Sequence, residues 1–281
     1  MSQDEDKTGS HSGTNPIGLI DSGVGGLTVL HECLVSLPGE DFLYLGDNGQ
    51  FPYGTKSQDE LVDRTASVTR FMLDRGVRLL VVACNSATAA AAESISQIAA
   101  DSGVETVTVI GPEAEIAASI SASGRIGVLA TPATVSSGAY RAALEGLGRP
   151  LTVTEVEAPD LAPIIQRGHP FDDEVLEKVR GYCHPLREAE IDTLILGCTH
   201  YPLVAPMLQR LLGRDVRLVS AGHAIAAVVQ RTLARAGALS DSGREGEYSF
   251  LVTGDVESFV EVGSRFLQLP LVGRVERVTI P

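Results

Sequence analysis

Short apolar runs recur along the chain, each followed by a turn and then an amphipathic or alanine-rich stretch. The runs predict strands at Ile17–Asp21, Phe42–Gly46, Leu79–Ala83, Thr106–Ile110, Ile126–Ala130, Leu151–Val156, Thr193–Gly197, Val216–Val219, Phe250–Thr253 and Val275–Ile280. The stretches between them predict helices at Leu27–Val35, Gln58–Arg75, Ala87–Ala100, Glu113–Ser121, Val135–Leu147, Asp172–Arg187, Pro202–Leu212, Ala224–Ala236 and Val256–Phe266. Near-continuous apolar strands alternating with helices indicate βαβ units and a mainly parallel sheet, an α/β fold.

Two of these units resemble each other. Leu79–Ala83 ends in Cys84-Asn85-Ser86, and Thr193–Gly197 ends in Cys198-Thr199-His200, each ahead of a predicted helix. Ligands of open parallel sheets bind at that carboxyl edge. The pattern therefore predicts two similar doubly wound lobes, mainly of parallel sheet, facing a central cleft with one thiol from each. A crossover near residue 112 and a return near residue 214 make the first lobe discontinuous: 16–111 plus 215–281, with 112–214 as the second lobe. Residues 1–15, acidic and polar, are expected to form a disordered tail.

Composition narrows the partners. The chain has 281 residues, 44% of them apolar, enough for a large core. Its net charge is −14 and its basic residues are scattered rather than clustered, which argues against nucleic acid and gives no attraction to anionic membranes. No apolar run is long enough to span a bilayer, and the start lacks the hydrophobic segment of a signal peptide. The cytoplasm is the expected compartment, with reduced thiols.

Four cysteines remain to be explained: Cys33, Cys84, Cys183 and Cys198. Their spacing fits neither a dense disulfide framework nor a zinc site, so no metal is expected. Cys33 and Cys183 read as small buried hydrophobes. Cys84 and Cys198 sit at strand-to-helix junctions, where backbone amides and a helix dipole favour a thiolate. A matched pair of thiols suits inversion of an α-carbon: one thiolate removes a proton from one face while one thiol returns a proton to the other. Asp21, at the end of the first strand, reads either as a helper at the sheet edge or as a helix N-cap. His200 reads either as a second proton carrier or as a surface residue capping a turn. The Gly23–Gly26 loop offers amides for a phosphate or a carboxylate, a weak signal. Pyridoxal phosphate would need a Schiff-base lysine; Lys7 and Lys178 read as tail and solvated surface, and Lys56 has nothing beside it that captures a cofactor. No cofactor is expected.

At the level of motifs, the sequence resembles the glutamate racemases of the aspartate/glutamate racemase superfamily. The segments that carry the likeness are IGLIDSGVGGLTVL (Ile17–Leu30), GDNGQFPYG (Gly46–Gly54), VVACNSA (Val81–Ala87), GVLATPATVSSGAY (Gly127–Tyr140) and LILGCTHYPL (Leu194–Leu203). The resemblance implies that Cys84 and Cys198 are the catalytic acid/bases, and that Asp21 and Ser22 contact or tune the site. It implies a substrate-lining loop with Tyr53 and Gly54, substrate contacts from Asn85, Ser86, Thr199 and His200, and a second-lobe edge lined by Thr131 and Thr134. It further implies an amino-acid substrate, no cofactor, a homodimer and a supply of D-glutamate for peptidoglycan.

The chain departs from the family pattern at Asn48 and Ser86, in place of threonine, and at two positions where an acid is usual, Gln166 and His223. These departures bear on rate balance and substrate preference. The rival readings are a racemase for aspartate or another amino acid, a non-catalytic amino-acid-binding protein on the same scaffold, and a thiol redox enzyme in which Cys84 and Cys198 form a disulfide.

Overall fold

The computed structural model describes residues 15–168, 172–240, 243–271 and 274–281. The expected tail therefore lies, apart from Asn15, outside the described residues. Among the described residues there are ten strands: β1 (Ile17–Asp21), β2 (Phe42–Gly46), β3 (Leu79–Val82), β4 (Glu105–Thr108), β5 (Arg125–Ala130), β6 (Thr152–Glu157), β7 (Thr193–Gly197), β8 (Arg217–Val219), β9 (Tyr248–Val252) and β10 (Val275–Arg277). They form two sheets, β10-β9-β2-β1-β3-β4 and β6-β5-β7-β8, and the strand pairs of both are parallel. The central strands β1, β2, β3 and β7 are buried along their whole length, which explains why their sequences run apolar without alternation.

Among the described residues eleven α-helices connect and cover the sheets: α1 (Leu27–Ser36), α2 (Gln58–Leu73), α3 (Asn85–Asp101), α4 (Ile110–Ile120), α5 (Pro132–Ser136), α6 (Ala139–Glu145), α7 (Leu161–Gln166), α8 (Asp173–Glu188), α9 (Ala205–Leu212), α10 (Ala221–Arg235) and α11 (Val256–Leu267). Local chemistry sets their starts. Ser57 and Glu60 form a reciprocal capping box on α2. The side chains of Thr131, Asp172 and Asp255 cap α5, α8 and α11.

Several boundaries differ from the sequence pattern, each for a local reason. The strand expected at Thr106–Ile110 stops at Thr108, because Ile110 already begins α4. The single helix expected at Val135–Leu147 is broken into α5 and α6 by Gly138, whose left-handed φ of 69° suits a residue without a Cβ. Arg217–Val219 pairs with β7, so the return to the first sheet comes after β8 rather than at residue 215. The short helix α7 was not anticipated; six residues containing a proline give too little periodicity to read.

Helix α4 is the crossover from β4 in one sheet to β5 in the other, and α10 packs against both α1 and α4. Behind the carboxyl ends of the first sheet, Asp47 gathers the elements that shape the cleft. Its carboxylate accepts two 2.8 Å bonds from Arg64 on α2, one from Thr253 after β9, and one of 2.5 Å from the Tyr53 hydroxyl. Arg64 also donates to the Ile280 carbonyl.

Asp47 is fully buried and Arg64 partly so. Removing one partner of such a pair leaves the other charge buried without compensation. Asp47→Ala is expected to destabilise the protein by roughly 3–5 kcal/mol in urea denaturation; a loss below about 1 kcal/mol would mean the cluster contributes no more than a surface pair.

Candidate active site

The sheet edges deliver the predicted chemistry to one place. Ser22, Tyr53, Gly54, Cys84, Asn85, Ser86, Thr131, Cys198, Thr199 and His200 line a single cavity, joined by Phe51, Pro52, Thr55, Pro159, Ala162 and Pro163. The cavity measures about 20 Å³, roughly the room of one water molecule. Both thiols are more than nine-tenths buried, and all four cysteines are free. Asp21 does not line the cavity; it lies behind Cys84. Thr134 likewise stands behind its wall, bonded to Thr131 at 3.0 Å.

Close contact between the lobes explains the glycines of the first turn. A Cβ on Gly25 would sit 2.5 Å from His200 Nδ1 and collide with Thr199 Oγ1 as well. The loop therefore serves the approach of the two sheet edges. Across the same junction the Thr199 hydroxyl donates to Asp21 Oδ2 at 3.1 Å, while Asp21 Oδ1 accepts from the Gly23 amide at 3.0 Å. Asp21 is thus neither a simple N-cap nor a free acid. Burial raises its pKa, against the pull of the Gly23, Gly26, Thr199 and Ser22 donors. A second bridge joins Ser86 to Thr131 at 2.9 Å.

The two thiols sit in different surroundings. Cys84 occupies the N-cap of α3. Burial pushes it up to about 12, and the charge of Asp21 adds to the rise; the Ala87 amide and Ser22 pull the other way. The thiolate favoured by the sequence reading is therefore not what the structure gives: the amide at the helix start pulls the right way, but desolvation outweighs it. Cys198 ends β7 and is followed by a turn and a 3₁₀ segment, Tyr201–Val204, before α9, so no helix starts at this thiol as it does at Cys84. Burial raises its pKa, the His200 amide opposes this, and charge on Cys84, Asp21 or Glu113 raises it further.

His200 is buried, contrary to a surface capping role. Its Nδ1 lies 3.9 Å from Cys198 Sγ, and its Nε2 lies 2.7 Å from Gln166 Oε1 on α7. Phe51 and Phe266 flank the ring. Burial lowers its pKa to about 3, so it is neutral at ordinary pH. An amide oxygen opposite Nε2 selects the tautomer with the proton there and leaves the Nδ1 lone pair toward the thiol.

His223 has no part in this site. It is exposed on α10 and pairs with Glu32 at 2.6 Å. No lysine lines the cavity, and among the described residues no group of three His, Cys, Asp or Glu could hold a metal ion. No helix among the described residues is long and apolar enough to cross a membrane. Sequence reading did not single out Glu113 or a polar role for Tyr140. Their signal was weak, an acid near the start of an otherwise apolar helix and an ordinary core tyrosine.

Comparison with known proteins identifies the family. The family model described as Asp/Glu/Hydantoin racemase matches residues 17–229. A glutamate racemase of Geobacter metallireducens is 38% identical over 251 residues, covering 89% of this chain and 92% of that protein. The crystal structure of a glutamate racemase from Bacillus anthracis superposes with a TM-score of 0.90 at 35% identity, covering 95% of this chain and 98% of that one. A Francisella tularensis glutamate racemase, solved in complex with D-glutamate, gives a TM-score of 0.88 at 30% identity over 95% and 98% of the two chains.

The environment of His200 sets a pH dependence of stability. Below pH 6.5 the unfolded chain binds a proton at this histidine, whereas the folded protein does not until about pH 3. Its contribution is therefore full above pH 6.5 and is lost as pH falls toward 3. The stability gap between wild type and His200→Asn is expected to shift in favour of the variant by about 3 kcal/mol between pH 7 and pH 4. A gap independent of pH would show that His200 is not held neutral by burial.

Proposed function

The chain belongs to the Asp/Glu/hydantoin racemase family, and we propose that it interconverts L- and D-glutamate without a cofactor, using Cys84 and Cys198 as the two proton carriers. The observation that carries this reading is one buried cavity lined by both thiols, each brought to it by the carboxyl end of a parallel strand from a different sheet. The choice of glutamate is supported by the relatives of known structure and sequence.

The reaction balances with the thiols alone. A thiolate on one face takes the α-proton and becomes a thiol; the thiol on the other face gives its proton to the carbanion and becomes a thiolate. The enzyme is left in the opposite protonation state, ready for the mirror-image substrate. Charge that builds on the substrate carboxylate in the transition state meets the first amides of α3, with the Ser86–Thr131 hydroxyl pair beside them. The positive ammonium group of the substrate offsets the negative charge of Asp21 and so favours a thiolate that burial disfavours. A cavity of about 20 Å³ does not hold glutamate, so entry requires the lobes or the Phe51–Thr55 loop to give way. Asp21 and His200 then act beside Cys84 and Cys198 respectively, with Ser22, Tyr53, Gly54, Asn85 and Thr199 shaping the substrate site and Thr134 holding Thr131. A homodimer in the cytoplasm that supplies D-glutamate for peptidoglycan completes the reading, on the strength of the family resemblance.

In deuterium oxide, purified protein without added cofactor is expected to exchange the α-proton of both enantiomers and to abolish optical rotation. Cys84→Ala and Cys198→Ala should each lower racemisation by at least about 10³-fold, with exchange from one enantiomer able to survive without inversion. Normal racemisation by both single variants would end the two-thiol mechanism. Absence of exchange in the wild type with glutamate, but not with aspartate, would reassign the substrate.

Gln166 gives a second test. A carboxylate 2.7 Å from His200 Nε2 favours the imidazolium, which a neutral amide does not. Gln166→Glu is expected to change kcat by different factors in the two directions. The ratio of kcat/KM for the two enantiomers must stay at unity, because mirror-image substrates have equal free energy. Equal changes in both kcat values would show that His200 does not discriminate between the half-reactions.

A further inference from the structure

Away from the thiols, one buried cluster has no role in the proton transfers described above. Glu113 sits on α4, the helix that carries the chain from the first sheet to the second, and is wholly buried. Its Oε2 accepts from Asn85 Nδ2 at 3.0 Å and from the Tyr140 hydroxyl at 2.5 Å. Asn85 Nδ2 also donates to the Tyr140 oxygen at 2.8 Å, which closes a triangle. Asn85 follows Cys84 on α3, and the ring of Tyr140 lies against Gly197, the residue before Cys198. The triangle therefore ties together the two strand ends that present the thiols.

Its hydrogen bonding is unequal. Glu113 Oε2 and the Tyr140 oxygen lie on the same side of Asn85 Nδ2, so the amide nitrogen faces the cluster and Oδ1 is turned away from it. Asn85 Oδ1 and Glu113 Oε1 are buried and have no partner among the described residues. Burial pushes Glu113 up to about 8, and a proton on the bare Oε1 leaves Oε2 as the double acceptor. An apolar residue would fill this place at lower cost than a carboxyl with one bare oxygen. What the carboxyl adds is orientation: it fixes which way the Asn85 amide faces, in a residue that lines the cavity.

We propose that Glu113 is a positioning residue for the substrate: by holding Nδ2 of Asn85, it turns Oδ1 into the cavity as an acceptor for the ammonium group of the amino acid. The inference rests on the amino-acid reading given above and adds to it the group that orients Asn85. Without Glu113 the amide is free to rotate and to present its donor side, which repels an ammonium ion.

The test compares wild type, Glu113→Met and Glu113→Gln, with melting temperature as the control for folding. Methionine keeps the bulk and removes the acceptor; glutamine keeps an acceptor oxygen and places an amide nitrogen where the bare oxygen stood. Glu113→Met is expected to raise KM for both glutamate enantiomers about tenfold while kcat changes less than about threefold, and Glu113→Gln to restore KM to within about threefold. Glutarate, which lacks the ammonium group, serves as a competitive probe whose inhibition constant should not rise with KM in the methionine variant. An unchanged KM in that variant, a glutarate constant rising in step with KM, or a glutamine variant as impaired as methionine would each overturn the proposal. A wild type inactive on glutamate would instead overturn the substrate reading and the proposal with it, so the two failures are distinct.

Discussion

The cleft depends on how closely the Gly23–Gly26 turn approaches Thr199 and His200. Two parallel sheets can present their carboxyl edges to each other only if the connecting turns leave room, and no side chain fits at Gly25. The Thr199–Asp21 and Ser86–Thr131 hydrogen bonds then fix the separation on both sides. Both bonds are buried, so each satisfies polar groups that would otherwise stand unpaired at the junction.

Closure in turn governs the electrostatics. Burial raises the pKa of both thiols and lowers that of His200 in the same cavity. The low dielectric that works against ionisation there also strengthens the electrostatic interactions made within the cavity.

Much of this was legible in the sequence because strand burial and strand ends leave strong marks. Ten apolar runs identify the ten strands, and the paired Cys84 and Cys198 segments place both thiols at sheet edges. What was hidden depends on contacts between distant segments. His200 reads equally as a proton carrier or a surface cap until Gln166 and the two phenylalanines close around it. Local sequence does not show that His223, a departure from the family pattern, faces outward from α10 to Glu32. Glu113 lies on an apolar helix, and only the meeting of α3, α4 and α6 gives it Asn85 and Tyr140 as partners. The thiolate expected at Cys84 from its place at a helix start is overturned: the Ala87 amide pulls the thiol pKa down, but burial, of which local sequence carries no measure, is the larger effect.

The supports on the two sides of the cavity are chemically unlike. Cys84 has an acid behind it and a helix N-terminus beneath it; Cys198 has a neutral imidazole held by a neutral amide. The net reaction between enantiomers is symmetric, yet the protein that carries it out has no mirror plane, so equal supports are not required. Thermodynamics fixes only the ratio of the two specificity constants. The individual kcat and KM values remain free to diverge. Under the two-thiol mechanism proposed above, the unlike partners of the two thiols would divide the protein's time unequally between its two protonation states, and residue 166 would bear on that division through its bond to His200 Nε2.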